Sequence, residues 1–189
     1  MGRITNSPWR TPPTVDRVAT QAECLRQLPP VLDSMFTNRS MPQAVVIPEL
    51  AYRDIAEAVA WLCEAFGFEE RLRIGNHRAQ LHVLGGGSII VTQRRPEQGA
   101  GSTGANEFHA PMRGEVTHSV MVRVADAVQH HAQAVKCDAM SIRHPADYPY
   151  GERQYTAQDL GGHVWTFSQS LADIDPASWG GTLPARAPE

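Results

Sequence analysis

The side chains best suited to chemistry in this sequence are scattered rather than gathered in one motif. Glu49 lies in the apolar run Val45–Tyr52. A carboxylate turned into apolar surroundings is desolvated and its pKa rises, which suits a general base. The competing expectation is a salt bridge from Glu49 to Arg123 or Arg153. Eight histidines are present. His77 and His109 sit in turn-like or loop contexts, and His82 stands mid-strand facing either way. His130-His131 reads as a surface residue beside a half-buried one. His118 is either a satisfied, partly buried histidine or a ligand contact. Tyr148, Tyr150 and Tyr155 offer an aromatic wall for a flat molecule, or simply turn packing. No nucleophile elbow, P-loop or dinucleotide glycine motif occurs. Gly85-Gly86-Gly87 joins two strands instead of opening a helix, so it carries little phosphate-binding value.

These residues belong to a chain of 189 residues with 42% hydrophobic and 20% charged side chains, ordinary values for a globular domain or two fused halves. A net charge of −3 and a pI near 6.2, with no basic stripe, argue against nucleic acid as a partner. Three widely spaced cysteines without a CxxC are expected to be reduced thiols. No apolar run approaches the roughly 20 residues of a membrane span, and MGRITNSPWR lacks the apolar core of a signal peptide. The expectation is a cytoplasmic protein without a membrane partner.

The elements that must position the chemistry read clearly in two blocks. Val45–Tyr52 is expected as a strand, followed by a helix capped by Asp54 and ended by Gly67, with Ile55, Ala58, Val59, Leu62 and Phe66 on its buried stripe. Strands follow at Glu69–Ile74, Ala79–Leu84 and Ser88–Gln93. After a Gly- and Pro-rich connection the order restarts: strand Thr117–Val124, then a helix opened by Asp126 with Ala127, Val128, His131, Ala132 and Val135 inward. Strand Met140–His144 comes next. Placing Asp54 on Asp126 superposes two strand-Asp-helix units, an internal repeat. The chain closes on Arg153–Gln158 and His163–Gln169, joined by the turn Asp159-Leu160-Gly161-Gly162. Before the first block, Val15, Val18, Ala22, Leu25 and Leu28 recur at helical spacing, and Val31–Phe36 reads as a second short helix. This extension is either a packing or dimerisation appendage or a lid. The tail from Asp173 reads as an arm or a disordered end.

The sequence YGxR followed by D-x-x-G-H-x-W in the closing hairpin, together with the repeat, resembles the glyoxalase/bleomycin-resistance/dioxygenase (vicinal oxygen chelate) superfamily. Leu160 stands where that family most often has proline. The resemblance covers about 44–170. It implies an α+β fold of two βαβββ modules forming a cupped eight-stranded mixed sheet with helices on the convex face, here with an N-terminal helical extension. The expected divisions are 1–43 for the extension, 44–170 for the glyoxalase-like domain (modules 44–95 and 116–170, connection 96–115) and 171–189 for the tail. It also implies a homodimer.

Metal-dependent members of that family draw His, Glu or Gln ligands from the first and last strand of each module. Alternation along the strands puts Ile47, Val91 or Thr92, Ser119 and Thr166 at those positions, so no metal and no cofactor are expected. The expected function is binding of a small, planar or cationic organic molecule in the cup. The alternative is an enzyme of the same superfamily (lyase, isomerase or dioxygenase) using Glu49 and a histidine. Gln93, His118, Met121, Arg123, Tyr150, Arg153 and Thr166 are the candidate ligand contacts, with Glu49 the candidate catalytic group.

Overall fold

The computed structural model describes residues 38–93, 111 and 116–182. The first block forms β1 (Glu49–Tyr52), α1 (Ile55–Phe66), β2 (Glu69–Ile74), β3 (Arg78–Val83) and β4 (Gly87–Gln93). The second repeats the pattern with β5 (Val120–Arg123), α2 (Ala127–Lys136), β6 (Met140–Tyr148), β7 (Glu152–Gln158) and β8 (Val164–Ser170). Each block makes one four-stranded sheet. The orders are β1-β4-β3-β2 and β5-β8-β7-β6, and only the first strand of each runs parallel to its neighbour. The expected α+β architecture of two βαβββ modules is the one observed.

The helices begin where their caps dictate. Asp54 accepts a hydrogen bond from the Glu57 N–H at 2.9 Å, and Gly67 ends α1 in the left-handed region at φ 68°. Asp126 accepts from Val128 and Gln129, both at 2.9 Å. The first strand starts later than expected because Pro48 has no N–H to donate; its carbonyl accepts from Ile90 at 2.9 Å, and the ladder runs on from there. β6 outruns its expected end at His144, continuing to Tyr148 through two register shifts.

One apolar core serves both modules. Phe66, at the end of α1, packs on Trp165 and Phe167 of the other module with ring centroids 5.6 and 4.8 Å away. Full burial of each such ring contributes about 1.5–3 kcal/mol. The two helices lie antiparallel, joined by polar bonds between side chains of one and carbonyls of the other. Trp61 Nε1 donates to the Cys137 carbonyl at 2.7 Å, Gln133 Nε2 to Glu64 at 3.1 Å, and His130 Nε2 meets the Phe66 carbonyl at 3.1 Å. That contact corrects the expected inner face of α2. The helix is turned so that Ala127 and Ala134 are buried and His130 is half-buried, while Val128, Ala132 and Val135 stay exposed.

A second tie is the Asp159 carboxylate. It is buried, and four donors satisfy it: Tyr52 Oη at 2.6 Å, and Trp165 Nε1, Gly161 N and His163 N, each at 2.9 Å. His163 Nε2 in turn meets the Ala51 carbonyl at 2.9 Å, a structural hydrogen bond between the two modules.

The expected N-terminal helices lie outside the described residues, as does the 96–115 connection apart from Pro111. The tail, expected from Asp173 as an arm or a disordered end, is described as far as residue 182. The N–H groups of Leu171 and Ala172 both donate to the Gly151 carbonyl, at 2.8 and 3.2 Å. A 3-10 turn follows at Pro176–Trp179, with Asp175 accepting from Ala177 at 3.0 Å. Among the described residues, no helix is long and apolar enough to cross a membrane.

Candidate functional site

Alternation sends one face of each sheet to the helices and leaves the other free for function. In the first sheet Leu50, Tyr52, Ala79, Leu81, Ile89 and Val91 enter the core. Its opposite face is largely covered. Gln80 is 2% exposed and donates to the Ser40 carbonyl at 2.8 Å. Arg71 reaches the Met41 carbonyl at 3.2 Å and the Gln80 side-chain oxygen at 2.5 Å. The segment before β1 therefore crosses this face.

The opposite face of the second sheet is polar and connected. The hairpin register pairs Glu152 with Ser170, Gln154 with Ser168 and Thr156 with Thr166, while β5 sets Met121 beside Thr166 and Arg123 beside Ser168. Glu152 is the hub. It accepts from Ser168 Oγ at 2.5 Å, Ser170 Oγ at 2.7 Å and Arg123 Nη1 at 3.0 Å, and Arg123 also donates to Ser170. The network runs on from Gln154 Nε2 to Ser168 Oγ at 3.0 Å, and from Tyr150 Oη to Gln154 Oε1 at 3.1 Å. Tyr150 stacks on Tyr148 with centroids 5.2 Å apart and planes inclined by 22°.

Electrostatics fix the charge states here. The Ser168 and Ser170 hydroxyls, aided by Arg123, hold the Glu152 carboxyl below its ordinary value. Partial burial, with the nearby Tyr148 and Glu152, pushes the Tyr150 phenol up, so it stays protonated and donates. The Glu152 side chain is 16% exposed and that of Arg123 69%, so the anion is held within the sheet and the cation stands toward solvent.

Four expected contacts meet on this face: Met121, Arg123, Tyr150 and Thr166. The other candidates do not. Glu49 lies on the first sheet instead, its side chain 33% exposed. It pairs with Arg78 of β3 at 2.6 Å, and neither Arg123 nor Arg153 is its partner. Arg123 goes to Glu152. Arg153 alternates onto the helix-side face with Tyr155 and Ala157, and its partner is Asp147, at 2.5 and 2.9 Å. Gln93 ends β4 in register with Tyr52, away from this site. His118 is exposed and precedes β5, so it is neither half-buried nor in the ladder. Tyr155 is buried and stacks on Phe167 as core. Glu152, Gln154, Ser168 and Ser170 were not among the candidates, although hairpin alternation places all four on one face.

The positions implied for metal ligands do not fit a cation site of the usual kind. Val91 enters the core, so of the open pair Val91 or Thr92 it is Thr92 that alternates away from it, as Thr166 does; Ser119 just precedes β5, and these three carry hydroxyls where carboxylates or imidazoles are needed. Thr166 Oγ1 lies 3.5 Å from Ser119 Oγ. Among the described residues, no three His, Cys, Asp or Glu side chains gather as a cation site.

Two βαβββ modules of identical strand order, sharing a core through paired helices, define the class of protein. The model of the Glyoxalase/Bleomycin resistance protein/Dioxygenase superfamily matches residues 44–167, and the chain belongs to that superfamily. Among solved structures it is similar to TioX from Micromonospora sp. ML1, with 34% identity over 67% of this chain and 98% of the other, at a TM-score of 0.51. A glyoxalase/bleomycin resistance protein/dioxygenase from Nocardioides shares 17% identity over 76% of this chain and 91% of its own, TM-score 0.52. A family enzyme from Burkholderia phytofirmans PsJN shares 16% over 68% and 99%, TM-score 0.51. The last two show the fold alone. No curated protein matched the chain.

Proposed function

We propose that the chain holds a small planar organic molecule against the open face of the second sheet, without transforming it. The observation that carries this reading is the stacked Tyr148–Tyr150 pair joined by hydrogen bonds to the Gln154–Ser168–Glu152–Arg123 network. Aromatic faces supply stacking area, and the network supplies donors and acceptors for a polar edge. Binding is favoured over turnover because Glu152, the carboxylate at the centre, is held below its ordinary pKa and is a correspondingly weak base. Glu49, the other base considered, is paired with Arg78 on the other sheet.

The test is a titration of the full chain with planar heteroaromatics, the cationic dye proflavine and neutral acridone, followed by dye fluorescence and thermal shift. Saturable binding is expected. Tyr150→Ala should weaken it about tenfold or more, since stacking on an aromatic side chain is worth about 1–3 kcal/mol. Arg123→Ala should weaken it too. Binding that is absent, or indifferent to both substitutions, refutes the proposal.

A further inference from the structure

We propose that the C-terminal segment is a strap whose Trp179 supplies a second aromatic wall to this site and thereby selects which planar molecules fit. The inference rests on the binding reading above. The superfamily match ends at residue 167, so the strap lies beyond the part of the chain that the match covers.

The strap is built into the fold. Its two N–H donors converge on the Gly151 carbonyl, and the segment passes close over Gly151. At φ +79° a Cβ on Gly151 would come within 2.2 Å of the Ala172 oxygen and 3.0 Å of Ile174 Cγ1. The chain then folds through the Asp175-capped turn, where Ser178 N and Ser178 Oγ both donate to the Asp175 carbonyl, at 2.9 and 2.7 Å. Gly181 donates back to the Pro176 carbonyl at 2.8 Å, and a Cβ there would meet Trp179 Cη2 at 2.8 Å. The turn thus sets where the Trp179 backbone lies.

The Trp179 indole lies beside Tyr150, with ring centroids 5.7 Å apart and planes inclined by 63°. Tyr148 and Tyr150 are close to parallel, so Trp179 turns the stack into a corner. The indole is 41% exposed, too open to serve the core, and stands next to a tyrosine that bonds the polar network. A flat molecule lying along one wall has its edge against the other, with Gln154 in reach of its polar groups. Thickness and substituents are what such a corner discriminates.

The experiment titrates wild type, Trp179→Ala, Trp179→Phe and Gly151→Ala with proflavine and acridone. Trp179→Ala is expected to weaken binding about tenfold with an unchanged unfolding midpoint, while Trp179→Phe stays within about threefold. Gly151→Ala displaces the strap, so it should match Trp179→Ala, and combining the two should add nothing further. Binding to Trp179→Ala as tight as to wild type, while Tyr150→Ala loses it, overturns the strap alone. No saturable binding by the wild type overturns both readings.

Discussion

Tyr52→Phe removes one hydroxyl and almost no volume, so it isolates the bond that ties the first module to the closing hairpin. The Tyr52 phenol is buried, and burial together with the neighbouring Asp159 raises its pKa well above the ordinary value; it is a neutral donor at every accessible pH. A hydrogen bond to a charged acceptor contributes about 1.5–3 kcal/mol. Asp159 keeps three other donors in the variant, so the lower part of that range applies, about 1.5–2 kcal/mol. For a domain of this size that lowers the thermal midpoint by about 3–8 °C. Urea unfolding followed by circular dichroism should show the loss as a shifted midpoint with an unchanged slope. In an Asp159→Asn background the same substitution should cost at least about 1 kcal/mol less, which measures the coupling directly. A loss below about 0.5 kcal/mol, or an equal loss in both backgrounds, refutes the assignment.

Other outcomes follow from the same geometry. Gly161→Ala places a Cβ 2.5 and 2.6 Å from two Tyr52 ring carbons, and the ring is buried and tethered; urea melts should show a cost of about 1–3 kcal/mol. His130 is held below its ordinary pKa by burial, partly offset by the Phe66 carbonyl, so the unfolded chain takes up a proton that the folded one refuses. Stability should therefore fall as pH drops below about 6.5, and His130→Gln should flatten that slope in urea midpoints measured between pH 7.5 and 5. Glu152 has the depressed pKa of a carboxylate whose contribution is present above its unfolded value and lost as pH falls through the folded one. A carboxyl-carbon NMR titration should find its midpoint below the ordinary range, and Ser168→Ala should raise it.

Local rules made the frame readable. Asp54, Gly67 and Asp126 mark the helix ends by capping chemistry alone. What alternation did not supply was partner choice. Glu49 and Arg78 meet only because β1 lies beside β4 and β4 beside β3, pairings between residues distant in sequence. The site hub was closer to hand, since the Gly161-Gly162 turn already sets Glu152 opposite Ser170 and Gln154 opposite Ser168. Serines and a glutamate in an alternating strand carry no sequence signal that sets them apart from an ordinary solvated face. The face of α2 was misplaced for another reason. Helical spacing sets His131 inward with Val128, Ala132 and Val135, yet it is His130 that the Phe66 carbonyl and Tyr155 Oη draw inward, at 3.1 and 2.5 Å.

The antiparallel helix pair has a consequence for how the chain is made. As the first half leaves the ribosome, Phe66 has neither Trp165 nor Phe167 to rest on, and the Phe66 and Glu64 carbonyls lack the side chains that later meet them. The Tyr52 hydroxyl likewise waits for a carboxylate more than a hundred positions downstream. Synthesis of the first module thus produces an unfinished surface, apolar and with open acceptors, which closes only when the last strand has emerged. Cut between its repeats, the protein would yield two halves that each expose their side of the shared core.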